Sequence, residues 1–480
     1  QTSNKTTPFI ACSESGDLIT GATIRVTLIN NADWGNVSIT TGEGWTKTTS
    51  HTFTKTNEDA ITDENVIITL DGGNAINLTI SSGYTPDPTN KVYTMKTDGT
   101  DEYFNVDGSQ ALTGWKDGVQ MGNCDRAFYN EDYDELIIPS GITSISSSAF
   151  FGCASFRDST QPIKIDFNLQ SSFTSIGSDA FNDCVGITTV DFSGSNIHAI
   201  TSIGMFAFRG CALTNIVAGG TIDEITLNDD WGTGLHVFAR GDYLPDFTDG
   251  GKKLGGENCG CLAYGTFAPN GDATTVGYGA FAGCAGITAA DFSQNKQSFT
   301  SIGGSAFFDC ALRTIIPGHG VELVPLTGWG NMNVFRVVDS AYMPNYATNQ
   351  LGNSGCGCLA YGTFTPTSDG TTPIGNSAFQ GCGGITAIDF SNFLLPIQSS
   401  SIGSNAFRSC MGISSYTFKN TQEYTSNFTI GDDAFRSCAL LGKVISNTID
   451  VAKGLLPLMI NASGNPAWMS DDYWSATISQ

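Results

Sequence analysis

The stretch Ser175-Ile176-Gly177-Ser178-Asp179-Ala180-Phe181-Asn182-Asp183-Cys184 decides the fold, because the chain carries eight variants of it, all sharing Ala-Phe-x-x-Cys. The copies end at Cys153, Cys184, Cys211, Cys284, Cys310, Cys382, Cys410 and Cys438. Ser202 to Cys211 reads SIGMFAFRGC, and Ser401 to Cys410 reads SIGSNAFRSC. An apolar run follows several copies: ITTVDF after Cys184, ITAADF after Cys284, ITAIDF after Cys382. Adjoining copies step by 31 residues (Cys153 to Cys184) or 26 (Cys284 to Cys310), the length of one solenoid coil. A single coil cannot bury its own apolar face, so coils must stack. The Phe of each Ala-Phe pair (Phe150, Phe181, Phe208, Phe281, Phe307, Phe379, Phe407, Phe435) is expected to face inward. Each ring would withdraw on the order of 150 Å² from water.

A period of about one hundred residues lies over the first. Cys184, Cys284 and Cys382 stand 100 and 98 residues apart, and Cys211, Cys310 and Cys410 stand 99 and 100 apart. Two later units open on CGCLAYGTF, at Cys259 and Cys356. Each is preceded by a long insertion, at about 217–258 and 316–355, holding Trp231 or Trp329. A loop kept twice at one place in an array is a repeated projection, which makes Trp231 and Trp329 candidates for an interaction surface. The alternative is that each ring packs its insertion onto its own coil.

The repeated phrase resembles that of the BspA-type leucine-rich repeat family over roughly residues 110 to 450. The resemblance implies a coil made of a short strand, a turn carrying Ala-Phe-x-x-Cys and a second strand. It also implies a secreted or surface protein used in adhesion and recognition.

Outside the repeat the pattern changes. Residues 1–85 hold β-type runs at Ala22 to Ile29, Asn36 to Thr41, Asn65 to Leu70 and Ala75 to Ile80, divided by Asn, Gly and Asp turns. A small antiparallel β-sandwich is expected there. Residues 86–109 read as a linker or N-terminal cap, 110–450 as the solenoid, and 451–480 as a C-terminal cap or tail over its exposed core. The fold class expected is therefore mainly β, a leucine-rich-repeat solenoid behind a β-sandwich domain.

Composition narrows the function. The net charge is −24 with a pI near 4.3, and the nearest approach to a basic cluster is the pair Lys252-Lys253. Nucleic acid is excluded as a partner, since binding it needs clustered Lys and Arg. No stretch approaches 18 consecutive apolar residues, so membrane insertion is not expected. A chain opening on Gln1 reads as a mature form after signal removal.

Fourteen cysteines and five Asn-x-Ser/Thr sequons (Asn4, Asn36, Asn77, Asn427, Asn461) point to an oxidising, extracellular setting, with the sequons as glycosylation candidates. Equivalent residues of stacked coils lie about 4.8 Å apart, inside the range a disulfide tolerates. The hundred-residue symmetry pairs Cys261 with Cys284, Cys358 with Cys382, Cys211 with Cys259 and Cys310 with Cys356. Neighbouring coils pair Cys410 with Cys438 and Cys153 with Cys184, and elimination leaves Cys12 with Cys124. The alternative is a ladder of buried free thiols acting as small hydrophobes. Cys-Gly-Cys lacks the spacer of a zinc site, so no metal is expected.

Catalytic signatures are missing: there are four His (His51, His198, His236, His319) and no HExxH, GxSxG or Walker loop. No catalytic residue and no cofactor is expected. The Arg240-Gly241-Asp242 tripeptide has the counterpart Arg336-Val337-Val338-Asp339 in the next unit, which weakens a shared adhesive role. Two functions remain. The first is a noncatalytic secreted building block that assembles with itself, head to tail, into a filament or surface matrix. The second is an adhesin or recognition module for a host protein or glycan.

Overall fold

A ten-residue phrase reverses the chain only if some of its residues accept left-handed backbone, and the repeat supplies two. The residue before Ala-Phe lies between φ 55° and 62° in all eight copies: Ser148, Asp179, Phe206, Gly279, Ser305, Ser377, Asn405 and Asp433. The residue before the cysteine does likewise in six, from Asp309 at 58° to Gly283 at 87°. Glycine, and short polar residues that bond locally, adopt that region at least cost. The Gly of Ser-Ile-Gly answers a different need. A Cβ on Gly177 would stand 2.3 Å from Ser147 N, and one on Gly204 2.2 Å from Ser178 N, so the preceding coil's backbone fills that space.

The structure, a computed structural model, describes strands within 9–80 as backbone only. It then describes 92–98, 101, 104–115, 134–151, 163–167, 172–193, 200–324, 332–342, 351–352, 355–366, 374–389, 401–413, 415–418, 429–436 and 438, with backbone strands at 442–446 and 474–478. Two compact units emerge, Gln1–Val92 with Asp117–Tyr133, and Tyr93–Lys116 with Asp134–Gln480. The first holds two antiparallel sheets. One runs Phe9–Ser13, Thr23–Leu28, Thr52–Lys55, Trp45–Lys47; the other runs Val37–Thr40, Glu64–Leu70, Ala75–Ile80.

In the second unit seven of the eight repeats place a two-residue strand before the turn, the eighth an isolated bridge at Ile374, and a longer strand follows the turn. Ser144–Ile145, Ser175–Ile176 and Ser202–Ile203 pair in parallel, Ser with Ser and Ile with Ile. Glu135–Ile137, Ile163–Asp166, Ile187–Asp191 and Asn215–Val217 form the matching parallel ladder of long strands. The turns are laddered as well: Phe150 N–H donates to Ala180 O, Phe181 to Ala207 O, Phe281 to Ala306 O and Phe379 to Ala406 O. Stacking therefore satisfies backbone groups that an isolated turn would leave to water.

All eight repeat Phe are at most 1 % exposed. Phe150–Phe181 and Phe181–Phe208 stack at 5.3 and 5.2 Å between centroids, as do Phe281–Phe307 and Phe379–Phe407 at 4.9 Å. Offset stacking of this kind adds to the burial of each ring.

The long-strand sheet is not continuous. After Asn215–Val217 the chain reverses at Gly219 and runs Ile222–Glu224 antiparallel to Leu235–Arg240, which pairs antiparallel with Ala263–Phe267. The second insertion repeats this with Val321–Val324, Asn333–Val337 and Ala360–Phe364. Both insertions are thus hairpins that open a new sheet. The long strands form blocks of five, five and seven. The turns and the short-strand side run through: Phe208 N–H reaches Gly260 O and Phe307 N–H reaches Gly357 O in coils that carry no Ala-Phe, and Asn258 N–H and Gly355 N–H reach Ile203 O and Ile302 O. At the other end, Trp474–Ile478 adds in parallel to Gly442–Ser446 as the last strand of the same sheet.

Candidate functional site

Coils three apart would have turns about 14 Å apart if stacked straight at 4.8 Å. Yet Arg209, in the turn ending at Cys211, reaches Asp309 in the turn ending at Cys310, past the turns at Cys259 and Cys284. Its Nε and Nη2 donate to Asp309 Oδ2 at 2.7 and 2.5 Å. The turn side is therefore where coils converge. A cavity of about 670 Å³ opens there, lined by residues from Met205 to Gln380, six coil segments in all.

The cavity exists because the repeat is broken at its centre. Position two after Ala in the phrase runs Phe151, Asn182, Arg209, Ala282, Phe308, Gln380, Arg408, Arg436. Small Ala282 lies between the bulk of Arg209 and Phe308, and Gly255, Gly256, Gly279 and Gly352 line the cavity beside it. The guanidinium of Arg209 lies 5.4 Å from both the Phe206 and the Phe308 ring centroids, inside cation–π range. Phe206 sits at φ 56° where the other copies place Ser, Asp, Asn or Gly. A bulky residue in that region is an outlier, and such strain gathers at functional sites. Gly255 accommodates it, since a Cβ there would lie 2.5 Å from Phe206 Cε1.

Asp309 is fully buried. Desolvation raises its carboxyl to about 6 against the pull of Arg209. Desolvation also works against the charge of Arg209, but Asp309 and Asp183 outweigh it and hold the guanidinium protonated. At the rim, Tyr278 is 65 % and Met205 45 % exposed. Lys253 extends over the Tyr278 ring at 5.9 Å and donates to the Tyr278 carbonyl. Among the described residues, Arg209 and Lys253 are the only cations in the lining.

Trp231 corrects its expected role as an interaction surface. It is 7 % exposed and packs at 5.0 Å on Phe247 and 6.1 Å on Phe267, inside the core of its own coil. Trp329 lies outside the described residues. What the first hairpin does expose is His236, with Nδ1 2.7 Å from Glu224 Oε1 and its ring stacked on Tyr264 at 4.8 Å. Asn333 holds the equivalent place opposite Tyr361, so this cluster is not shared by the units.

The cysteine expectation is also revised. Eleven described cysteines are buried free thiols. Cys184, Cys211, Cys310, Cys410 and Cys438 each donate to the carbonyl of the preceding ladder Phe, at 3.0 to 3.2 Å. Of the expected pairs, Cys261 and Cys284 are neighbours, as are Cys358 and Cys382, each pair close enough for one thiol to raise the other, while Cys261 and Cys358 donate to Ala282 O and Gln380 O. Cys259 and Cys356 are buried as thiols beside their own Cys-Gly-Cys partners. Burial pushes the Cys382 thiol up to about 11. Such thiols are poor nucleophiles. Cys124 and Cys153 lie outside the described residues, as do Asn4, Asn36, Asn427 and Asn461. Cys12 and Asn77 fall in Phe9–Ser13 and Ala75–Ile80, described as backbone only. Among the described residues no group of three or more His, Cys, Asp or Glu is placed to hold a metal. No described helix is long and apolar enough to cross a membrane.

The lining residues Met205, Phe206, Arg209, Lys253 and Tyr278 were not singled out from sequence as a site. An alignment of the eight phrases with each other carries the signal, for Met205-Phe206 replaces a small polar pair.

A family model described as BspA type Leucine rich repeat region matches residues 124–166, 161–228, 257–325 and 355–453 in six copies. The unmatched gaps fall on the two hairpin insertions. No curated protein matches. Among solved structures, a leucine-rich repeat protein from T. pallidum is similar at 11 % identity, over 70 % of this chain and 86 % of that one, with a TM-score of 0.18. A leucine-rich cell surface protein from Faecalibacterium prausnitzii A2-165 is similar at 16 % identity, over 84 % and 96 %, also with a TM-score of 0.18.

Proposed function

The chain belongs to the BspA-type leucine-rich repeat family, and from that premise we propose that it is a noncatalytic cell-surface recognition protein whose ligand seats on the turn side of the solenoid. The observation that carries this reading is the cavity of about 670 Å³ made where the repeat is interrupted. A repeat kept for stacking alone has no need of Phe206 at positive φ or of an exposed Tyr278 beside Lys253. Volumes of roughly 300 to 1,000 Å³ are those of sites that hold small molecules or a few residues of a larger ligand.

Head-to-tail assembly, the other function expected from sequence, loses its most direct device. The tail strand Trp474–Ile478 that would be donated to a neighbour is paired within its own sheet. Assembly would then use some other surface. The sequons and an extracellular location belong to the same reading as the family.

The test is binding of fluorescently labelled protein to intact epithelial cells and to immobilised mucin, beside negative-stain micrographs of the unlabelled protein. Saturable binding that is lost when Tyr278 and Lys253 are both replaced by Ala supports recognition through this cavity. Filaments in the micrographs with no saturable binding would replace the reading by the structural one.

A further inference from the structure

We propose that the turn-side cavity binds an acidic saccharide, with a sugar ring against Tyr278 and Phe206 and its carboxylate between Lys253 and the free edge of Arg209. This rests on the recognition reading above and names the ligand class for the same site.

Four observations meet here. Tyr278 and Met205 are exposed at the mouth of a concave site that also presents Ser305 and Gln380 among its lining residues. Sugars present apolar C–H faces beside hydroxyls, and an amphipathic aromatic with polar side chains beside it meets both needs. The cations matter more than their number suggests. In a chain of net charge −24 with 22 Lys and Arg in all, Arg209 and Lys253 line one cavity. Asp309 and Asp183 both act on Arg209 from outside the lining, and among the described residues the lining itself carries no carboxylate.

Arg209 is also held ready. Asp309 takes its Nε and one Nη2 hydrogen, two ring centroids lie 5.4 Å from its Cζ, and Nη1 has no hydrogen-bond partner among the described residues. A guanidinium fixed on one edge and open on the other meets a carboxylate without first losing side-chain freedom, and charge-assisted bonds of this kind are the strong ones. Finally, the strained Phe206 is explained by what it does, which is to wall this cavity. The cavity is too small to seat the roughly 800 Å² per partner of a stable protein–protein contact, which favours a saccharide over a folded protein surface.

Isothermal titration of the full chain with 3′-sialyllactose and with digalacturonate tests the proposal, with lactose and tetraglutamate as controls. At least one acidic saccharide is expected to bind, and lactose and tetraglutamate at least about tenfold more weakly. Tyr278→Ala and Lys253→Ala are each expected to weaken the acidic saccharide about tenfold with an unchanged melting temperature, and added NaCl to weaken it in the parent. Equal binding of lactose would remove the carboxylate from the proposal, and equal binding of tetraglutamate would remove the sugar. Absence of binding by both acidic probes overturns it; if labelled protein still binds mucin or cells through Tyr278 and Lys253, recognition stands with a different ligand.

Discussion

Two kinds of residue carry the phrase, and they fail differently. The Phe of Ala-Phe acts by burial: Phe281 and Phe407 are 0 % exposed and stacked on both neighbours or their substitutes. Phe281→Ala or Phe407→Ala is expected to lower stability by about 3–5 kcal/mol, measured by chemical denaturation. A change under ~1 kcal/mol would mean that the rings are not the interior ladder. Asp309 acts through its charge. Its carboxyl is raised to about 6 from an ordinary value near 3.8, so the folded state holds the proton more tightly than the unfolded chain. Its contribution is therefore fully present below about pH 4 and is lost as the pH rises through 6. Melting temperatures measured between pH 4 and 7 are expected to fall more steeply for the parent than for Asp309→Asn; parallel curves would show that Asp309 ionises freely.

At the scale of elements, the hairpins and the tail decide where sheets begin and end. Each insertion turns back on itself through Gly219 or Gly318 and enters the sheet antiparallel, a direction the stacked long strands do not use. The tail does the opposite and extends the parallel order, in register from Gly442 with Trp474 to Ser446 with Ile478. Removing residues 470–480 strips the partner from Gly442–Ser446 and leaves an open edge. The truncated chain is expected to melt lower by scanning calorimetry, with a gain in aggregation. An unchanged melting temperature would return the tail to the role of a donor strand for a neighbour.

Across the whole molecule, sulfur gives the sharpest check on the stacking. Non-reducing peptide mapping is expected to recover Cys184, Cys211, Cys310, Cys410 and Cys438 as free thiols, because each already donates to a ladder carbonyl. Any disulfides among the described residues are expected only at Cys261–Cys284 and Cys358–Cys382, where neighbouring thiols perturb one another. Bridges elsewhere would show that neighbouring coils are spaced or rotated differently. The sequence by itself determined the coil: its two strands, its inward Phe, and left-handed positions occupied by Asp, Asn, Ser and Gly all follow from chemistry local to ten residues and repeated eight times. It also announced the hundred-residue units and the strands Thr23–Leu28, Val37–Thr40, Glu64–Leu70 and Ala75–Ile80, since alternation and turn residues are likewise local signals. Only the tertiary structure decided that Trp231 is buried, that the long-strand sheet breaks at each insertion, and that Arg209 meets Asp309 and walls a cavity with Phe206 and Tyr278. The reason is that curvature accumulates from small rotations between successive coils and from the hairpins wedged among them. No short stretch of sequence encodes that sum, and residues one hundred positions apart come together only once it is complete.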